Sequence, residues 1–361
     1  MKKTALVTDL KIIDSPQAGI GAARCLKESG LTIIGVDDTP FVTLNKDLFN
    51  EVFCWEEIRT LNLDSLVSKI SKIKENYGLD YIFPCYDETI ILFSFIKDRL
   101  DYLKIKLISP PKETIKAIQK INLPNIITGK LNNFVTPEIK IASSVEEAID
   151  FTKKIGYPVV CKGLVKGSYI CENEEDLIYN VKKLSILWNG GTINCIIQKC
   201  INDEKKEYCN CIVGIKNNKI VAYVEMKKFG IDQNGATWFG KIEKTKEILP
   251  FAEYLVNSLP FEDSIIEIET IKVGDIFYVY EINPRSPAWI YAPCQMGLNI
   301  PELIINNSEN KINFIKEEGY FGREIKDFIR KDIGGFENNV RFYSKGAAYK
   351  SGNLKYPSEL L

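Results

Sequence analysis

The segment running from Ser264 to Arg285, SIIEIETIKVGDIFYVYEINPR, constrains the chain more than any other. Apolar and β-branched residues bound a Gly274-Asp275 pair, which predicts two strands joined by a tight turn. Acidic or amide residues recur at a spacing of two, Glu267 and Glu269 on the first strand, Glu281 and Asn283 on the second. Side chains two apart on a strand leave the same face. If Glu269 pairs at or diagonal to Glu281, oxygen ligands cluster on one side of the hairpin. Like carboxylates facing each other across a sheet repel, so a cation has to compensate them. A charged, solvated sheet edge would also use such residues. The apolar Ile282, the Pro284 and the Arg285 that follow favour a divalent ion and phosphate instead. Mg²⁺ usually takes one or two carboxylates together with substrate phosphates.

Composition narrows the chemistry. The chain has 361 residues, 45% hydrophobic and 26% charged, which suits two or three packed domains and argues against disorder. A net charge of −1 gives no global attraction to nucleic acid or to an anionic membrane. Asp9 and Asp14 interrupt the region a signal peptide would keep apolar, and no run of about 18 apolar residues is present. A reducing, cytoplasmic location is therefore expected, with the 10 cysteines as free thiols. The absence of histidine removes Ser-His and Cys-His nucleophilic mechanisms and makes a zinc site at Cys209 and Cys211 improbable. Acid–base work falls to carboxylates, lysines, tyrosines or water.

Along the chain, strands at 4–8, 32–38 and 80–88 alternate with helices, which predicts a Rossmann-like parallel sheet over residues 1–111. The Gly19-Ile20-Gly21 turn lacks the third glycine of a dinucleotide fingerprint, so a tight strand-to-helix turn is the favoured reading. Asp87-Glu88 closes the third strand, where such sheets present ligand sites. Ser144 and Glu147 form a capping box for a helix ended by Gly156. The strand PVVCK then leads through the loop 163–168 to a second strand and a helix, a compact unit able to act as a lid. Lys162 ends the first of these strands, so phosphate binding with Gly167 and Ser168 backbone groups and an ordinary turn with solvated lysines both stand open. Gln198, Lys199, Cys200 and Ile201 follow a further strand and could present backbone groups to a purine, with Glu207 within reach of a ribose. A long loop is expected over 230–240, carrying Trp238 and Phe239; these two and Trp289 are candidates to shape an organic pocket. The pattern beyond residue 111 is α+β.

Order and spacing together resemble the ATP-grasp superfamily of carboxylate–amine ligases, closest in character to its biotin carboxylase and carbamoyl-phosphate synthase branch. TPEIKIASSVEEAIDFTKKIGYPVVCKG looks like the entry to that family's lid, and EINPR like its metal-and-phosphate signature. The resemblance covers roughly residues 1–305. It implies an α/β and α+β architecture: a Rossmann-like domain (1–111), an ATP-grasp domain (112–310) of two α+β subdomains with a lid at about 135–197, and a C-terminal tail (311–361) packed on the grasp. It also implies ATP and two Mg²⁺ ions, with Mn²⁺ as an alternative. Glu269, Glu281 and Asn283 would hold the metal, and Lys120 and Lys162 the phosphates. Gln198 to Ile201 would form the adenine hinge, although many relatives carry glutamate where Gln198 stands, and Glu207 would take the ribose. Arg285 would sit at the reacting phosphoryl, joined by Lys227 or Lys228. The implied reaction is ADP-forming amide or peptide synthesis through an acyl phosphate on an amino acid or peptide. A phosphotransferase of carbamoyl-phosphate-synthase type and a non-catalytic ATP-binding regulator are the alternatives. The implied partners are a small-molecule or peptide substrate, no nucleic acid and no membrane, with a homodimer left open.

Overall fold

The computed structural model describes residues 2–10, 18–38, 47–55, 58, 62–127, 129–164, 167–188, 191–231, 237–306 and 311–323. The tail beyond 323, Val165 and Lys166 of the loop after Lys162, and residues 232–236 lie outside the described residues.

The first unit comprises β1 (Thr4–Thr8), α1 (Ala18–Glu28), β2 (Thr32–Asp37), β3 (Glu51–Cys54), α2 (Leu63–Tyr77), β4 (Leu79–Phe83), α3 (Asp87–Ser94), α4 (Lys97–Tyr102) and β5 (Lys106–Leu107). Its strands pair in parallel in the order β3-β2-β1-β4-β5, the doubly wound arrangement expected from alternating strands and helices. The strand expected over 80–88 stops at Phe83. Pro84 cannot donate to a ladder, and Asp87-Glu88 form the first turn of α3, where the helix dipole favours carboxylates. The short strand β3 carries no alternation strong enough to announce it in the sequence.

The next stretch holds α5 (Lys112–Ala117), a 3₁₀ turn at Lys120–Asn122, α6 (Leu123–Ile127) and β6 (Phe134–Val135). A second, antiparallel sheet follows from β7 (Ile139–Ala142), α7 (Val145–Ile155), β8 (Val159–Gly163), β9 (Ser168–Cys171), α8 (Glu174–Trp188) and β10 (Cys195–Lys199), ordered β7-β10-β8-β9. Ser144 accepts from the Glu147 N–H and Glu147 accepts from the Ser143 N–H, so the predicted N-cap is in place at α7. α7 and α8 pack on one face of this sheet around Ala148, Cys161, Leu177, Val181 and Ile197.

The largest sheet is built from β11 (Glu207–Lys216), β12 (Lys219–Ile231), β13 (Thr237–Glu243), β14 (Ser264–Val273) and β15 (Ile276–Asn283), with α9 (Leu249–Ser258) on one face. After α10 (Tyr291–Gln295) and α11 (Ile300–Asn306), β16 (Gly319–Gly322) adds an edge, giving the order β16-β13-β12-β11-β14-β15-β6. Trp238 and Phe239, expected in a loop, lie in β13: β12 runs on to Ile231 and pairs with β13 through register shifts at Lys228 and Gly230. One face of the sheet packs Cys211, Val213, Tyr223, Ile268, Phe277, Val279 and Ile282 against α9. The other face packs Ile212, Val224, Met226 and Ile265 with α1, α10 and α11, so one core joins the large sheet to the parallel one.

Gly19 and Gly21 serve that junction. A Cβ on Gly19 would overlap the Thr8 and Asp9 carbonyl oxygens, and one on Gly21 would meet the Ile290 side chain at 2.8 Å. The two glycines lie inside α1 as packing devices rather than in a turn; residues 11–17, between β1 and α1, lie outside the described residues. Gly19→Ala should therefore destabilise the protein by about 1–3 kcal/mol, the usual cost of overpacking, measured as a drop in the urea midpoint with an unchanged m-value. Wild-type stability in that variant would show that the contact has slack.

Candidate active site

The hairpin pairs as the sequence suggests, and with a definite register. Glu269 faces Glu281 and Glu267 faces Asn283 across β14 and β15. The register shifts at Glu269/Thr270, where Thr270 pairs with Val279 and Tyr280 is left as the extra residue of a bulge. This shift changes the phase of β15. Phe277 and Val279 face the α9 core before it and Ile282 after it, which leaves Glu281 and Asn283 on the opposite face with Glu267 and Glu269.

Each carboxylate has its own compensation. Glu267 is 5% exposed and accepts from the Asn210 amide at 2.8 Å, the Trp289 indole N–H at 2.8 Å and the Asn283 amide at 3.2 Å. Burial and the neighbouring Glu269 push its carboxyl up, against Lys228, Arg285 and Trp289. Glu269 accepts from Lys228 at 2.7 Å, from the Tyr280 hydroxyl at 2.7 Å and from Asn283 at 2.8 Å. Burial works to raise its pKa, and the Lys228 charge and bond, with Tyr280 and Arg285, override it and hold the carboxyl at about 2. Glu281 pairs with Lys120 at 3.0 Å. Burial works against the Lys120 ammonium, and Glu281 outweighs it and raises its pKa.

Arg285 reaches the N-terminal sheet. Its Nε donates to Asp87 at 3.1 Å, and one terminal nitrogen lies 4.0 Å from Glu267. Asp87 and then Glu267 raise the guanidinium pKa further, against burial, so it is a permanent charge in the cleft. On the side of the smaller sheet, Lys162 in β8 is buried and donates to the Gln198 amide oxygen of β10 at 2.8 Å. Its ammonium also lies 5.3 Å from the centre of the Tyr280 ring. Burial pulls this lysine down to about 8, partly opposed by Glu281 and reinforced by Lys120. Lys162 differs from Lys120 because its direct partners are neutral.

The structure thus brings Lys120, Lys162, Gln198, Lys228, Glu269, Glu281, Asn283 and Arg285 into one cleft between the smaller antiparallel sheet, the large mixed sheet and the end of the parallel one. Gly167 has a φ of 94° and its carbonyl accepts from the Gly163 N–H, while Ser168 pairs with Lys162, so both flank the lysine. Lys199 turns away and donates to the Ile155 and Gly156 carbonyls at the end of α7. The Cys200 N–H donates to the Pro158 carbonyl, and the Ile201 carbonyl accepts from Lys206. The two adjacent lysines separate by strand alternation: Lys228 faces the carboxylates, and Lys227 faces the other way and pairs with Glu207. Glu207 and Lys227 therefore stand on the face opposite the cluster. Asn210 and Tyr280 are site residues without an expected role in the sequence, while Asp87, expected to line a cleft, pairs with Arg285, and Trp289, expected in an organic pocket, bonds Glu267 instead; only the break in apolar spacing at 277, 279 and 282 signals Tyr280.

The donor set fits Mg²⁺. Glu269 and Glu281 face each other with the Asn283 amide beside them, its N–H groups directed at Glu267 and Glu269, and Lys120 and Lys228 are the present counter-charges. Among the described residues no group of three or more His, Cys, Asp or Glu side chains is placed to hold an ion alone. A cation here needs further oxygens, and Mg²⁺ commonly finds them on phosphates.

The fold is a Rossmann-like parallel sheet followed by α+β units in the ATP-grasp arrangement, matching that of biotin carboxylase structures. No protein-family profile matches the chain. It is 25% identical over 194 residues to the arginine-specific large chain of carbamoyl phosphate synthase from Halalkalibacterium halodurans, a match covering 51% of this chain and 17% of that protein. The chain is thus matched to a small part of that relative's length. Among solved structures it is similar to the biotin carboxylase domain dimer of Hydrogenobacter thermophilus 2-oxoglutarate carboxylase, a complex with MgADP, ADP and bicarbonate, at a TM-score of 0.61, 18% identity and coverage of 84% and 69% of the two chains. It is also similar to N5-carboxyaminoimidazole synthetase of Staphylococcus aureus, with a TM-score of 0.64, 14% identity and coverage of 88% and 80%.

The Lys228–Glu269 pair carries a direct test. Both side chains are largely buried, at 3% and 14% exposure. Lys228→Met should cost about 3–5 kcal/mol, as removing one partner of a buried pair does. Adding Glu269→Gln should restore much of that in chemical denaturation. Equal stability of the single and double variants would show that the pair is not what compensates Glu269.

Proposed function

We propose that the cleft binds ATP with Mg²⁺ and that the protein is an ADP-forming carboxylate–amine ligase. The observation that carries this reading is the in-register apposition of Glu269 and Glu281, with Asn283 beside them and Lys120, Lys162 and Arg285 around them. A carboxylate pair compensated by Lys120 and Lys228, with Lys162 and Arg285 as two further positive groups, suits a triphosphate better than a neutral ligand.

In this reading Lys162 and Lys120 take phosphate oxygens, with Gly167 and Ser168 closing over them, and Gln198 to Ile201 hold the base where β10 leaves the smaller sheet. Glu207 and Lys227 take no part in this arrangement, because they pair with each other on the opposite face of the sheet. Glu269, Glu281 and Asn283 would hold Mg²⁺, which supplies charge neutralisation and alignment of the phosphates. A carboxylate oxygen of the substrate attacks the γ-phosphorus and the bond to ADP breaks. An amine then attacks the acyl carbonyl of the resulting acyl phosphate; phosphate leaves and the amine proton passes to solvent. Arg285, released from Asp87, neutralises charge on the transferred group, and Lys228 is the member of its pair directed at that group. An amino acid or peptide is the substrate class we favour. Likeness to a carbamoyl phosphate synthase chain favours a second reading, a phosphotransferase that releases a phosphorylated product.

ADP release across a panel of amino acids and dipeptides, with product mass spectrometry and hydroxylamine trapping, separates the two. A ligase yields ADP, phosphate and an amide, with a hydroxamate when the amine is withheld; a phosphotransferase yields a phosphorylated product that persists. Tight ATP binding without ADP release from any carboxylate would contradict both and leave a regulator. Arg285→Ala and Glu281→Gln should each lower kcat by about 10²–10³-fold with far-ultraviolet circular dichroism unchanged. Near-normal turnover in either would remove that residue from the reaction.

Lys162 adds a pH dependence. The protonated form binds phosphate, and its pKa is about 8 in the free protein, so ATP affinity should hold below pH 8 and fall by up to tenfold per unit above it. Lys162→Met should bind more weakly and lose that fall between pH 7.5 and 9.5. A wild-type profile that stays flat through this window would contradict the assignment.

A further inference from the structure

Tyr280 touches both sheets at the candidate site. It is the extra residue of the β15 bulge, so it has no partner on β14. In an unbroken strand its side chain would leave the face opposite Glu281. The bulge instead brings two successive side chains to the same side, and the contacts show the result. The Tyr280 hydroxyl donates to Glu269 Oε2 at 2.7 Å on the large sheet, and its ring lies under the Lys162 ammonium, 5.3 Å from centre to nitrogen, on the smaller sheet.

These two contacts answer two different needs. Lys162 is a buried ammonium whose hydrogen bond goes to a neutral amide oxygen. A carboxylate in the ring's place would hold the lysine equally well and neutralise it. An aromatic face attracts the cation through its quadrupole and leaves its charge available. Glu269, for its part, must present an oxygen to an incoming ion while lying among Lys228, Asn283 and Glu281. A hydroxyl donor fixes its rotamer without adding a charge that would compete with that ion. Phenylalanine would supply only the first function, and an aliphatic side chain neither.

We propose that Tyr280 is a positioning residue of the nucleotide site: its ring holds Lys162 for the phosphates and its hydroxyl holds Glu269 for the metal, so that the position of the smaller sheet and the geometry of the metal ligands are set by one side chain. The proposal rests on the reading of the cleft as an Mg²⁺-nucleotide site. It requires the two functions to separate by substitution. Tyr280→Phe keeps the ring and loses the hydroxyl. Tyr280→Leu loses both.

Calorimetric titration of the full chain with a non-hydrolysable ATP analogue, with and without Mg²⁺, tests it without recourse to turnover. Tyr280→Phe should bind the metal-free analogue within about twofold of wild type, and should need about fivefold to tenfold more Mg²⁺ to reach its tight-binding form, as expected for loss of one hydrogen bond to a charged group. Tyr280→Leu should share that Mg²⁺ defect and also bind the metal-free analogue about fivefold or more weakly, from loss of a desolvated cation–π contact. A wild-type Mg²⁺ requirement in Tyr280→Phe, or wild-type metal-free affinity in Tyr280→Leu, would overturn the role of Tyr280 while leaving the site itself intact. Wild-type protein with no Mg²⁺-dependent analogue binding would overturn the reading of the cleft, and this proposal with it. Thermal melts of both variants within a few degrees of wild type, together with Lys162→Met reproducing only the metal-free defect, distinguish positioning from a loss of fold.

Discussion

Three glutamates on one patch of one sheet set the charge balance of the candidate site. Strand register fixes Glu267, Glu269, Glu281 and Asn283 as a square on the face of the large sheet away from α9. Buried like charges at that distance are tolerated only with partners, and the fold delivers those partners from every direction. Lys228 comes from β12 and Lys120 from the 3₁₀ turn before α6. Asn210 comes from β11, Trp289 from the segment before α10, and Arg285 from the strand's own end. Arg285 in turn draws in Asp87 from the parallel sheet. The charge requirement of one hairpin thereby ties together elements separated by up to about half the chain.

The same requirement explains why the cleft is polarised rather than simply charged. Glu269 is held ionised by Lys228, whereas burial and the neighbouring charge push Glu267 the other way, although the two are only two residues apart on one strand. On the facing sheet Lys162 is the cation with the least direct neutralisation and a pKa drawn down to about 8. A site with one firmly anionic corner, one firmly cationic corner at Arg285 and one adjustable lysine between them suits a ligand that brings its own metal and its own negative charge.

Much of this was legible in the sequence because it depends on local period. The hairpin turn, the two-residue spacing of Glu267 and Glu269, the cap at Ser144 and the alternation of strands and helices in the first hundred or so residues all rest on short-range rules, and the structure follows them. What was not legible depends on a change of phase or on long-range packing. The bulge at Tyr280 is recorded in the sequence only as apolar residues at 277, 279 and 282 instead of an unbroken alternation. Asp87 looks like the end of a strand because the strand residues Tyr81, Ile82 and Phe83 lead up to it, and its bond to Arg285 bridges nearly two hundred residues. Lys227 and Lys228 were indistinguishable by composition and became distinct once β12 was placed between β11 and β13. Glu207 shows the converse: its sequence position suggested the ribose, and the strand turns it to Lys227 on the far face.

The central claim is that the Glu269–Glu281 pair becomes a divalent-metal site when a nucleotide completes it. Electron paramagnetic resonance of Mn²⁺ titrated into the full chain, with and without ATP, measures this directly, since free and bound Mn²⁺ give different signals. The account predicts weak Mn²⁺ uptake by the protein alone, tight uptake of two ions when ATP is present, and loss of that nucleotide-dependent uptake in Glu281→Gln. Mn²⁺ binding that is indifferent to ATP, or that survives unchanged in Glu281→Gln, would contradict it.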